Sequence, residues 1–306
     1  MDKSRDHRDT FSTYSPVINF TFFIGAVVFG MVLIHPGFLV CSVVAAVIYY
    51  LIVKGRRAVK LLAGLIPVLA AVTLINPLLN TQGSRVLFTY MGGRPYTAEA
   101  LFYGMALAAM FAAVVLWFSC YNVVMTSDKF IHMFGRMAPS VSLILTMVLR
   151  LVPGYRHRLR QISTARRCIG MAGGSDGRTS GRRERMRNGM AEVSALTSWA
   201  FESGIVTADS MRGRGYGSGR RTNFSVYRFE LRDRIMLSCM VVLMAVTACC
   251  CIAGAAEVAY TPELCIKPAG DPVSVAGLIS YGIFLMIPAG VNITEEIKWR
   301  ILRSKI

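Results

Sequence analysis

Leu61-Leu-Ala-Gly-Leu-Ile-Pro-Val-Leu-Ala-Ala-Val-Thr-Leu-Ile-Asn-Pro-Leu-Leu79 contains no charged residue. At about 1.5 Å of helical rise per residue, such a stretch matches the ~30 Å hydrocarbon core of a bilayer. Working outward from it, residues 17–34, 38–53, 100–125, 235–256 and 273–289 are runs of the same kind, the second and last of these six near the lower length limit. Glu99 and Arg234 stand only at their borders. With 54% hydrophobic and 17% charged residues over 306 positions, and a mean hydropathy of +0.49, the chain is too apolar for an ordinary soluble domain of this size. The expected fold is all-α: a polytopic membrane protein of about six transmembrane helices with cytoplasmic amphipathic helices.

Charge sets the expected topology. Of the net +17, a balance of +11 lies between Ser127 and Leu231, where 18 Lys and Arg face 7 Asp and Glu. Basic segments favour the cytoplasmic side. Lys54, Arg56, Arg57 and Lys60 after the second run, and Lys298, Arg300, Arg303 and Lys305 at the end, fall on that same side if six helices alternate. The loops 79–99 and 257–272, the latter with Glu257, Glu263 and Asp271, then face outward. Both termini are expected in the cytoplasm, in a multi-pass protein of the cell membrane. The first run is read as a retained helix: Asp2, Asp6 and Asp9 are mixed with Lys3, Arg5 and Arg8 before it, and no small-residue cleavage site follows. The predicted organisation is a membrane part at 1–126, a cytoplasmic region at 127–231 and a second membrane part at 232–306.

The cytoplasmic region has its own pattern. Ser140 to Leu151 is apolar until Arg150, which is expected to snorkel toward the interface, and Pro153-Gly154 is expected to bend the chain. From Tyr155 to Met171, Leu159, Ile162, Ala165 and Ile169 share one sector of a helical wheel, with Arg156, Arg160 and Arg167 opposite, Arg166 at the edge of the stripe and Arg158 inside it. Gly170 to Gly189 is rich in Gly, Ser and Arg and reads as a connector. From Met190, the positions Met190, Val193, Leu196, Ala200 and Phe201 recur at helical steps to about Met211, with Asp209 placed to support Arg212. The glycines at 213, 215, 217 and 219 then break that helix.

Chemistry-bearing motifs are sparse. Gly213-Arg214-Gly215-Tyr216-Gly217-Ser218-Gly219 has the glycine density of a phosphate loop, yet no strand precedes it, no GKS or GKT follows, and its glycines end a helix. His7, His35, His132 and His157 are scattered without an HExxH pattern. Six of the eight cysteines, Cys249-Cys250-Cys251 included, lie in apolar runs without CxxC spacing and read as small apolar fillers. The membrane runs carry almost no charge, so the membrane part reads as a scaffold. The basic region suits docking to proteins and contact with lipid, and nucleic acid is not an expected partner. The alternatives are a membrane-embedded enzyme acting on an anionic lipid, with only the isolated Asp128 and His132 to offer, and the permease of a conventional ATP-binding cassette importer.

The chain resembles the transmembrane T component of energy-coupling factor transporters, the family that includes the membrane subunit of cobalt importers. The resemblance runs from about Tyr14 to Phe224 and continues weakly beyond. It rests on Asn76-Pro77-Leu78-Leu79, Leu149-Arg150-Leu151-Val152-Pro153, Ala165-Arg166-Arg167, and Ala208-Asp209-Ser210-Met211-Arg212-Gly213-Arg214-Gly215-Tyr216-Gly217 followed by Arg221-Thr222. Family members carry two Ala-Arg-Gly motifs on cytoplasmic coupling helices. Here they read Ala165-Arg166-Arg167 and Gly213-Arg214-Gly215, with Arg212 the residue that the wheel places on the packed face. The resemblance implies two ATP-binding cassette ATPase partners and a small membrane S component that captures a vitamin or metal ion. It implies for this chain a coupling role without catalysis, nucleotide or other cofactor.

Overall fold

The computed structural model describes residues 10–55, 58–80, 83, 85–90, 94–135, 139–169, 182–219, 230–260, 265–266 and 271–304. Proline opens the first two long helices, α1 (Pro16–Val32) and α2 (Pro36–Lys54), where its missing N–H costs nothing. His35 caps α2, its Nδ1 accepting from Gly37 N at 3.2 Å, so one of the scattered histidines has a plain structural use. The apolar 61–79 run becomes α3 (Ala58–Leu79), which ends two residues after Pro77. Next come the strands β1 (Val86–Tyr90) and β2 (Arg94–Thr97), then α4 (Ala98–Val124) and α5 (Ser127–Gly135). The long helices α6 (Pro139–Cys168) and α7 (Arg182–Gly213) follow, then α8 (Leu231–Cys250) with a π-helical turn at Cys251–Ala255, the short β3 (Val258–Ala259) and β4 (Cys265–Ile266), and α9 (Pro272–Ser304).

The chain is an all-α, multi-pass membrane protein. Five helices are long and apolar enough to cross a bilayer: α2, α3, α4, α8 with its π turn, and α9. The first expected span, α1, has 17 residues, roughly 25 Å of rise. The loops 79–99 and 257–272 are not plain connections, since each holds an antiparallel two-stranded hairpin. Glu99 fastens the first of them. It is buried in the opening turn of α4 and accepts from Arg85 N through both carboxylate oxygens, at 3.1 and 3.2 Å. Tyr260 fastens the second, its hydroxyl donating to Ile34 O at 2.6 Å beyond the end of α1.

The chain divides into two units, Met1–Phe130 with Tyr227–Ile306, and Ile131–Val226. In the first, α4 packs on α1, α2 and α3, and α9 packs on α2 and α8. Lipid tails are as apolar as leucine, so packing and polar contacts must hold such helices together. The centre is accordingly aromatic. Phe22 meets Phe11, Phe23, Trp117 and Phe284 with ring centroids 5.2–5.5 Å apart. Small residues let backbones approach: a Cβ on Gly104 would lie 2.8 Å from Asn76 Cβ and 2.9 Å from Thr73 O. Trp117 Nε1 donates to Ser42 Oγ at 3.2 Å, and the hydroxyls of Thr247 and Ser280 pair at 3.0 Å. The periphery is apolar instead: Ile66 is 66% exposed and Leu79 81%, a surface suited to lipid.

Charge is more deeply placed than the uncharged runs suggest. Glu99, Lys129 and Asp233 are all buried, each where a helix begins. α9 also continues well past the expected 273–289 run, carrying the pairs Glu295–Lys298 at 3.5 Å and Glu296–Arg300 at 2.7 Å on its exposed last turns. Arg56, Arg57, Glu263 and Lys305 lie outside the described residues, as does everything before Thr10.

Candidate functional site

The expected coupling helices form the second unit, where α6 and α7 pack on one another. The bend expected at Pro153-Gly154 is not a helix end. α6 runs through both residues, so the apolar 140–151 stretch and the basic 155–168 stretch are one helix. A proline inside a helix removes a single backbone bond, and the flanking turns carry the helix across it. Arg150 is exposed.

The packed face of α6 is Tyr155, Leu159, Ile162, Ser163 and Arg166, all half-buried and spaced at i, i+4, i+7, i+8 and i+11. Arg166 thus closes the stripe at the last turn of the helix. Its Nε is buried with no hydrogen-bond partner among the described residues. Neighbouring Ala165 and Arg167 are exposed. Arg158, which interrupts the apolar sector on the wheel, is explained by its neighbour: its guanidinium carbon lies 5.3 Å from the centroid of the Trp199 ring. Tyr155 meets the same indole edge-on at 5.7 Å. Arg158 also donates to Gln161 Oε1 at 3.1 Å.

α7 begins at Arg182, within the expected 170–189 connector; the remainder of that connector, 170–181, lies outside the described residues. Its packed face is narrower than the predicted stripe. Leu196 and Ala200 are half-buried with Trp199 between them in sequence, whereas Met190 (65%), Val193 (58%) and Phe201 (71%) are exposed. These three continue with Met186 and Ile205 as an outward apolar stripe. Tyr155, Leu196, Thr197, Ala200 and Phe201 line a groove along the helix pair. The indole of Trp199 organises this packing and was not singled out in the sequence, although an isolated tryptophan in a helix with weak apolar periodicity is the signal for it.

The glycine-rich segment after Met211 resolves into a helix cap. Gly215 N donates to Arg212 O at 3.0 Å and Tyr216 N to Met211 O at 3.1 Å, with Gly215 at φ +74°. This is the Schellman arrangement, which needs a left-handed residue just past the helix. Arg214 is therefore the cap residue itself, its N–H shared between Ser210 O and Met211 O at 3.2 Å each. The wheel's placement of Arg212 on the packed face is corrected: Met211 is half-buried, and Arg212, Gly213, Arg214 and Gly215 are exposed. Asp209 forms no ion pair with Arg212; among the described residues the ion pairs are the two on α9. Arg221 and Thr222 lie outside the described residues.

Both motif arginines thus end a long helix, where a cation is favoured by the partial negative charge of the last carbonyls. Unpaired guanidiniums in that position can take planar, bidentate contacts from carboxylates. Among the described residues no group of His, Cys, Asp or Glu is arranged to hold a metal. The sequence matches no protein-family model and no curated protein.

Proposed function

We propose that this chain is the membrane-embedded coupling subunit of an ATP-driven importer of the energy-coupling factor type, taking up a vitamin or a metal ion. In this role two ATP-binding cassette ATPases dock on the ends of α6 and α7 from the cytoplasm. A small S component in the cell membrane captures the substrate. The chain itself catalyses nothing and binds no nucleotide. Both termini then lie in the cytoplasm, on the side of the basic residues Lys54, Lys60, Lys298 and Arg300.

One observation carries the proposal: two helices packed on each other each close on an arginine, Arg166 and Arg214, that has no ion-pair partner among the described residues. A subunit that transmits ATPase closure must contact its ATPases with different free energy in their open and closed states. Two charged helix ends on one packed pair suit that requirement. The outward stripe of Met186, Met190, Val193, Phe201 and Ile205 suits an apolar partner or lipid.

The test is co-purification in mild detergent. The wild-type chain is expected to bring down two ATPases and one small hydrophobic protein. Replacing Arg166 and Arg214 together by Glu is expected to remove the ATPases while the chain still elutes as a folded species, and the double Gln variant to weaken them less. Retained ATPases in the Glu variant would overturn the proposal.

A further inference from the structure

Among the described residues of the first unit one cation is buried, and topology alone does not explain it. Lys129, in the opening turn of α5, is only 5% exposed. Its ammonium donates to Ser12 O at 2.6 Å and to Val124 O at 2.8 Å. With the Asn19 amide oriented so that its nitrogen donates to Phe11 O at 3.0 Å, the Asn19 oxygen accepts from the same ammonium at 3.2 Å. Among the described residues three acceptors thus meet the ammonium, and a buried ammonium requires such partners. The acceptors come from different places: the 3-10 turn Thr10–Thr13, α1, and the last turn of α4. Val124 O belongs to a helix end, where a cation is favoured.

The same turn is held from its other side by α9. Asn292 Oδ1 accepts from Thr10 N at 2.7 Å and from Phe11 N at 3.3 Å. Phe11, fully buried, wedges between Phe22 of α1 and Tyr49 of α2, with centroids 5.5 and 6.4 Å away. Lys129 therefore ties the start of α5 to α4 and α1 directly, and to α2 and α9 through the Thr10–Thr13 turn.

We propose that Lys129 is a positioning residue that hands movement arriving along the chain from residues 131–226 to four bundle helices at once. This deepens the coupling role proposed above and rests on it. Without the clasp, a displacement reaching α5 is absorbed at the α4–α5 turn. With it, the displacement pulls on the 3-10 turn and on every helix that holds that turn.

The experiment uses the full chain with its co-purified ATPases, trapped by ATP and vanadate, and reads amide hydrogen exchange. In the wild type, trapping is expected to change exchange at least twofold at residues 10–13 and 124–130 as well as within 131–226. In Lys129→Met the response is expected to stay within 131–226. Asn292→Ala, which leaves the lysine in place, is expected to lose the response at 10–13 alone, and Asn292→Asp, which keeps an acceptor oxygen, to restore it. An unchanged bundle response in Lys129→Met, or none in the wild type, overturns the assignment while leaving the coupling role standing. A wild-type chain that brings down no ATPase overturns both.

Discussion

The Tyr216 amide donates to the Met211 carbonyl at 3.1 Å, closing α7 around Gly215, whose φ is +74°. The neighbouring glycine is different: Gly213 is helical, and a Cβ there meets nothing within 4 Å. Substituting each by Ala therefore has opposite signs. Gly215→Ala is expected to cost about 1–2 kcal/mol, the penalty of a left-handed L-residue, and Gly213→Ala to stabilise the last turn by up to about 1 kcal/mol. Amide exchange over 207–216 reads both, speeding in the first variant and slowing in the second. If Gly213→Ala also loses the proposed ATPase partners despite a firmer helix, close approach of a partner is what that glycine serves.

Arg158 and Trp199 give a second test. Their contact, partly exposed, is expected to be worth about 0.5–1 kcal/mol. A double-mutant cycle on Arg158→Ala and Trp199→Leu, scored by unfolding of the purified chain, measures it. A coupling of zero would return Arg158 to the solvated face. Trp199→Leu also removes the Tyr155 contact, so Tyr155→Leu is the control.

The uncharged runs were legible because a bilayer imposes one crude requirement on a sequence, an apolar stretch of about 20 residues. Helix ends were not. Pro153-Gly154 has the local signature of a corner, but a proline's single lost hydrogen bond did not outweigh the turns on either side. The stripe Met190–Phe201 has helical spacing, yet spacing cannot tell which of two apolar faces packs, and Trp199 decided it. Arg166 at the stripe's edge was readable from the wheel, since its half-burial follows from i+7 and i+4 steps after Leu159 and Ile162. Arg212 was misplaced because it lies on the same side of the wheel as Met190 and Phe201, which are exposed, while Met211 falls beside Ala200 on the packed side. Lys129 left no periodic trace, because its partners are carbonyls, which every residue carries.

Gly104 tests the packing of α3 on α4. A methyl group at this position meets Asn76 Cβ and the backbone oxygen of Thr73 at under 3 Å, and backbone cannot turn aside as a side chain can. Gly104→Ala is expected to destabilise the membrane unit by about 1–3 kcal/mol. Gly64→Ala, also in α3 but with nothing within 4 Å, is expected to be neutral or mildly stabilising. Thermal unfolding of the two variants in one detergent decides it, and equal midpoints would contradict the close approach.

Tyr260 supplies a prediction in pH. Burial, with the Tyr103 hydroxyl as a second cause, pushes its phenol above the usual value of 10.0. The neutral form is the one that donates to Ile34 O. Because the folded value is raised, the folded state holds the proton longer than the unfolded one. The stabilisation is then complete below about pH 10 and is lost as pH rises beyond it. Tyr260→Phe is expected to cost about 1 kcal/mol at neutral pH, one hydrogen bond, and the gap to wild type to close in alkali. An ultraviolet titration should lose one late-ionising phenol in the variant. A gap that widens above pH 10 would reverse the sign and remove the hydroxyl's role in holding the hairpin to the end of α1.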